Sequence, residues 1–242
     1  LHYTGMDSGD AALARMRDPA SEVSAHYMVW EDGRITQLVG EDKRAWHAGV
    51  STWQGDDDLN SRSIGVEIVN GGHDVPLADG TLPPYPDAQI DAVIALCHSI
   101  FVCHTIPASR VVAHSDIAPA RKTDPGEHFP WARLAAAGIG LWPAAGPENH
   151  GDEILLPGDT SETVRHAQSS LRTIGYGLEA TGIYDDATRL TVTAFQRHWL
   201  PDTLTGHGDA RTLARLRDVY AAVTASSDPS STSSSSSGSR TS

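Results

Sequence analysis

Residues 63–69, SIGVEIV, decide how the first half of the chain is read. A short β-branched apolar run of this kind predicts a strand buried along most of its length. Upstream, VSAHYMVW from Val23 is a second β-branched and aromatic run. The turn-like Glu31-Asp32-Gly33 separates it from RITQLV, which alternates with period two, so the pair predicts a hairpin. Downstream, the breaker LPPYPD precedes Ile90, Val93, Ile94, Cys97, Ile100 and Phe101. That spacing predicts a long helix starting near Pro86 and ending before Pro107. RVVAH, from Arg110, reads as a further short strand. Strands interleaved with a strong helix give an α/β fold, a mixed central sheet packed by helices.

The whole chain has 242 residues, enough for one or two domains with a real core. Its net charge of −13 argues against a nucleic-acid backbone or an anionic membrane surface as partner. No run approaches the roughly 18 apolar residues of a membrane span. Cys97 and Cys103 fall on different faces of the expected helix and read as two buried free thiols. The sequence opens at Leu1 without a basic-then-apolar leader, so a signal segment has been removed or the sequence begins late.

Residues 143–159, PAAGPENHGDEILLPGD, carry three Pro and three Gly without an apolar period and read as a linker. They separate residues 1–142 from 160–224. Residues 225–242 are mostly Ser and are expected to form a disordered tail. The second segment holds a repeat, T-G-x-x-D-x-x-T, at residues 181–188 and 205–212. Asp185 and Asp209 in the two copies are placed to cap helices. With the amphipathic run of Val164, Ala167, Leu171 and Ile174 ahead of them, they predict a small all-α three-helix bundle. It shows no catalytic cluster, which leaves a folding or oligomerisation module, or a binding module.

Three histidines stand out by context: His2 in LHYT, His47 in AWHAG and His114 in VVAHSDIAPARKTDPG. A lone histidine near a strand end is more often structural than a ligand. His114 is different, because Lys122 and Asp124 follow it in a loop rich in Pro and Gly. A His-x9-Asp pair there can converge, and His with Asp suits zinc with an open catalytic position. Glu67 lies inside SIGVEIV among apolar neighbours, where a buried carboxylate is expensive unless paired or functional. If strand alternation instead puts it on a solvated face, it has no such role.

Taken in order, LHYT, VSAHYMVWEDGRITQLV, AWHAG, NSRSIGVEIVN and AHSDIAPARKTDPG resemble the zinc-dependent N-acetylmuramoyl-L-alanine amidases of the type 2 family, over nearly all of residues 1–142. In the second segment L-x-x-I-G-Y, T-G-x-Y-D-x-x-T and A-F-Q resemble the three-helix peptidoglycan-binding module often joined to such enzymes. The resemblance implies His2, His114 and Asp124 as zinc ligands, Glu67 as the catalytic carboxylate and Lys122 as the cation beside the reacting carbonyl. It places Trp46 and His47 along the cleft and Asn60 and Arg62 against the stem peptide. Asp116 competes for a ligand role and is expected to brace the loop instead.

The implied reaction is hydrolysis of the amide between N-acetylmuramic acid and the L-Ala of the stem peptide. Peptidoglycan or muropeptides are the implied partners, acted on by a monomer in the cell envelope (periplasm or outer membrane) or outside the cell. A non-catalytic peptidoglycan-recognition protein and a zinc peptidase cutting within the stem are the alternatives. As a separate module, residues 160–242 should be removable without loss of cleavage of soluble muropeptides.

Overall fold

A computed structural model describes residues 1–146 and 154–226. Along the chain run β1 (His2–Tyr3), α1 (Gly9–Arg17), β2 (Tyr27–Val29), β3 (Ile35–Gln37), β4 (Thr52–Trp53), β5 (Asp56–Asp57), β6 (Val66–Ile68) and α2 (Asp87–Cys103). They are followed by α3 (His114–Ile117), α4 (Trp131–Ala136), α5 (Glu162–Ile174), α6 (Asp186–Trp199) and α7 (Ala210–Ser226).

The SIGVEIV run supplies β6, which sits inside a mixed sheet of order β1-β6-β2-β3. It pairs parallel with both β1 and β2, while β2 and β3 form the expected antiparallel hairpin. A strand with parallel neighbours needs cover on both faces. Val66 and Ile68 face α2, where Ile90, Val93, Cys97 and Ile100 complete a buried cluster. Burial of a side chain such as Ile68 stabilises the fold by about 2 kcal/mol. On the other face Met28 and Val69 pack with Ala12 of α1 and Trp30. Gly65 precedes β6 because the His47 ring lies over it; a Cβ there would come within 2.3 Å of the ring.

Three sequence readings change. Residues 110–114 form no strand: Ala108–Arg110 is a turn of 3-10 helix, and His114 begins α3 rather than ending a strand. Between them the chain is extended and its backbone bonds to Leu1, through Leu1 N–H to the Val112 carbonyl (2.8 Å) and His114 N–H to the Leu1 carbonyl (3.2 Å). Both cysteines are free, but only Cys97 is buried; Cys103, in the last turn of α2, is exposed.

The third change concerns the linker. Its described parts are docked on the bundle: Arg215 donates to the Pro143 carbonyl (2.6 Å), Asp218 accepts from Gly146 N–H (3.1 Å), and Leu155 is buried and pairs with Gly208. Residues 147–153 of the linker and 227–242 of the expected tail lie outside the described residues.

The three-helix bundle forms as its caps predict. Asp185 accepts from Thr188 N–H (2.9 Å) and Asp209 from Thr212 N–H (2.8 Å), so each repeat starts a helix in the same way. On α7, Leu213 and Leu216 are buried while Tyr220 is exposed. One buried cluster runs through both halves of the chain, joining Trp53, Leu59 and Ile117 to Tyr176, Phe195 and Trp199. The second module therefore shares part of its core with the first half of the chain.

Candidate active site

Strand register builds the site. Glu67 on β6 is the direct neighbour of His2 on β1, and the strand alternation that buries Val66 and Ile68 turns Glu67 to the opposite face. His114 arrives at the first position of α3, and Asp124 ends the loop that follows. The Nδ1 atoms of His2 and His114 and the Oδ2 of Asp124 form a triangle with edges of 2.9, 2.9 and 3.0 Å, all three residues buried.

The outer partners of this triangle decide what it can hold. His114 Nε2 lies 3.0 Å from the Ala48 carbonyl, and a proton on Nε2 leaves the Nδ1 lone pair facing inward. His2 Nε2 lies 3.1 Å from His47 Nδ1, which accepts its proton and again frees the inner nitrogen. With the tautomers assigned from these partners, three electron-pair donors converge with no hydrogen between them. A cation reconciles them. Two imidazoles and one carboxylate are a zinc donor set, and bonds of about 2.0–2.2 Å bring tetrahedral ligands to roughly this spacing.

Glu67 Oε2 is sealed from solvent and has no hydrogen-bond partner. Burial, reinforced by the charge of Asp124, pushes its carboxyl up to about 8. Lys122 stands on the same cleft wall and makes no ion pair among the described residues. The cleft has a volume of about 390 Å³ and is lined by Glu67, Lys122, Asp124, His114, Trp46 and Arg121, among others.

The remaining residues named from sequence fall into two groups. Trp46 is more than half exposed at the cleft, with the Arg44 guanidinium 4.4 Å above its ring. His47 touches His2 as well as lining the cleft. Asn60 and Arg62 lie back from it. Asn60 is buried, and its side-chain oxygen accepts from His47 N–H (2.9 Å) and Ala48 N–H (2.7 Å), fixing the two residues that orient His2 and His114. Arg62 pairs with Asp56 at 3.1 Å. Asp116 is fully buried and belongs to no metal group; it accepts from the Ala113 N–H and braces the turn. Sequence reasoning missed Arg121, which donates to the carbonyls of Ala48 and Val50, because carbonyl acceptors have no sequence signature.

The buried groups make stability depend on pH in two opposed ways. Burial, with His114 beside it, pushes His2 well below its ordinary range. Burial also lowers His47 to about 3 and His128 to about 4. In the unfolded chain these imidazoles protonate below about 6.5, so the folded protein loses stability as pH drops past that value. Glu67 holds its proton in the folded state from its ordinary value of 4.5 up to about 8, so folding weakens as pH rises through that window. The metal-free protein is expected to melt highest at about pH 6–7 and lower at pH 5 and pH 8.5, and Glu67→Gln should remove the alkaline decline alone. A melting temperature of metal-free protein still rising between pH 7 and 8.5 would contradict this assignment.

Comparison with known proteins agrees with the geometry. Residues 1–127 match the N-acetylmuramoyl-L-alanine amidase family, and residues 160–216 match a peptidoglycan binding domain. The chain is 39% identical over 226 residues to the N-acetylmuramoyl-L-alanine amidase AmiD of Escherichia coli K12, covering 88% of this chain and 78% of that protein. It is 45% identical over 125 residues to the 1,6-anhydro-N-acetylmuramyl-L-alanine amidase AmpD of the same organism, covering 51% of this chain and 60% of that one. Among solved structures, E. coli AmiD matches with a TM-score of 0.79 at 37% identity, over 91% of this chain and 87% of that chain. AmpDh3 from Pseudomonas aeruginosa matches with a TM-score of 0.74 at 32% identity, over 91% and 89%. The chain therefore belongs to the N-acetylmuramoyl-L-alanine amidase family, as a zinc-dependent hydrolase of the amide between N-acetylmuramic acid and L-alanine that also carries a peptidoglycan-binding domain.

Proposed function

We propose that Glu67 and Lys122 carry out this hydrolysis on muramyl peptides lying in the cleft, with His2, His114 and Asp124 holding the metal. The observation that carries the reading is the orphaned Oε2 of Glu67, in the same cleft as the proton-free ligand triangle and Lys122. Zinc held by the triangle would supply a water acidified towards a pKa of about 7 and a Lewis acid for the carbonyl.

The proton that moves from water to the leaving nitrogen passes through this chain's own Glu67. In its ionised form, which burial makes the stronger base, Glu67 accepts the proton of the attacking water. The same carboxyl then delivers that proton to the nitrogen of L-Ala as the C–N bond breaks. Lys122 presents a full positive charge to the oxygen that becomes negative as the carbonyl turns tetrahedral. Trp46 forms an exposed aromatic wall for the sugar or peptide, and Arg121 props the Ala48 carbonyl that orients His114.

The AmiD structure contains anhydro-N-acetylmuramic acid-L-Ala-D-gamma-Glu-L-Lys, and an AmpDh3 structure contains anhydromuramic pentapeptide. Muramyl peptides of that kind are the substrate class proposed for this chain, and the cell envelope or its exterior is the proposed place of work. Lys122→Met is expected to lower kcat on a soluble muramyl peptide by about 10²–10³-fold, with KM and zinc content little changed, because its charge acts on the transition state. A loss confined to KM would assign Lys122 to binding and overturn its proposed role.

A further inference from the structure

The catalytic loop has a grip on it from the other half of the chain. Residues 114–130 carry His114, Lys122 and Asp124, yet their own regular structure is only the four residues of α3. A single turn is not stable alone, since nucleation of a helix is unfavourable. What holds this turn is Asp116, which is fully buried.

One oxygen of Asp116 accepts from the Ala113 N–H (2.8 Å) at the start of the turn and from His198 Nδ1 (2.6 Å) on α6. The other accepts from the Tyr176 hydroxyl (2.7 Å), just beyond α5. His198 is itself sandwiched. Its ring stacks on Trp131 at 3.9 Å and on Trp199 at 4.0 Å, so its nitrogen is aimed by packing from both halves.

The loop is held at its far end as well. Arg197, next to His198, reaches Glu127 at 3.3 Å, three residues past Asp124. Close approach of the two halves is built into the turn after α5. Gly175 sits at φ 147°, and a Cβ there would come within 2.5 Å of the Trp53 ring. Gly175 also accepts from Gln54 N–H (2.8 Å), and Tyr176 packs edge-on against Trp53.

We infer that the peptidoglycan-binding bundle is also a working part of the metal site, in which Tyr176 and His198 hold Asp116 and through it the placement of His114 and Asp124. These are positioning residues: none belongs to the ligand triangle or lines the cleft. The inference rests on His114 and Asp124 being ligands. It departs from a tethered wall anchor, which would leave the metal site complete without the bundle.

The test uses the full chain. Tyr176→Phe, His198→Leu and their combination remove the donors to Asp116, while His198→Asn keeps a donor close to the Nδ1 position. Zinc affinity is measured by chelator competition, and amide exchange of residues 113–124 by mass spectrometry in the metal-free and zinc-loaded protein. The double variant is expected to bind zinc about 10–100-fold more weakly, the range typical of lost outer partners of metal ligands. Exchange of residues 113–124 should quicken at least tenfold while β2 and β6 stay protected. His198→Asn should recover most of both effects.

Zinc affinity within threefold of the parent, with unchanged loop exchange, would overturn the inference. So would His198→Asn behaving like His198→Leu, since that assigns the residue to packing alone. If the double variant does not fold, Tyr176→Phe decides: about three- to tenfold weaker zinc binding supports the inference and none overturns it. Asp124→Ala separates the underlying reading, because undiminished zinc binding in that variant would remove the metal site itself.

Discussion

Glu67→Gln is expected to keep the fold and a full zinc complement while lowering turnover of a muramyl peptide by about 10²–10⁴-fold, the usual contribution of a positioned general acid–base. Gln preserves the shape of the side chain on β6 and removes only its ability to take a proton. The size of the effect follows from the surroundings: the carboxyl is raised to about 8 by burial and its Oε2 has no hydrogen-bond partner among the described residues that could take over its role. The check is kcat together with zinc stoichiometry on the same preparation. Turnover within tenfold of the parent, at full zinc content, would remove Glu67 from the chemistry.

Asp124→Ala is expected to have the other large effect, through the metal. It deletes the one charged donor of the triangle and leaves two buried imidazole nitrogens 2.9 Å apart. Zinc affinity should fall by more than the roughly 10–100-fold seen when an outer partner is lost, and activity should fall with it. Excess zinc should restore part of the activity of Asp124→Ala but none of that of Glu67→Gln. The two variants therefore divide metal holding from proton transfer, and equal rescue of both by zinc would collapse the distinction.

Much of this architecture is legible in local sequence because its signals are local. The period-two run of RITQLV, the apolar SIGVEIV and the 3.6-residue spacing from Ile90 to Phe101 each become the element they predict. The caps at Asp185 and Asp209 work the same way, since a carboxylate needs only the N–H three residues on. RVVAH misleads for a related reason: its β-branched pair does favour an extended backbone, but extension makes a strand only when partners are available, and among the described residues Leu1 alone pairs with its backbone across the chain.

The site divides along the same line. Glu67 and the His114–Asp124 pair announce themselves, a carboxylate in an apolar strand and two ligand types in one loop. Asn60 does not, because its task is to hold the backbone of residues 47 and 48 rather than to reach outward. Tyr176 and His198 lie 60 and 82 residues from Asp116 and become its neighbours only through the packing of the two halves. The linker reading fails for that reason too: Pro and Gly mark the absence of regular structure, and an irregular segment can still be docked by Arg215, Asp218 and a buried Leu155.

The central claim is that this chain cuts one particular amide by means of the His2–His114–Asp124 metal site. Mass spectrometry of the products released from purified sacculi, with and without a zinc chelator, tests it most directly. The account predicts free stem peptides with L-Ala at the amino end and glycan whose muramic acids bear free lactyl carboxyls, with release abolished by the chelator and restored by zinc. Peptide fragments that leave L-Ala attached to muramic acid, or the same products formed at full rate in the presence of chelator, would contradict it.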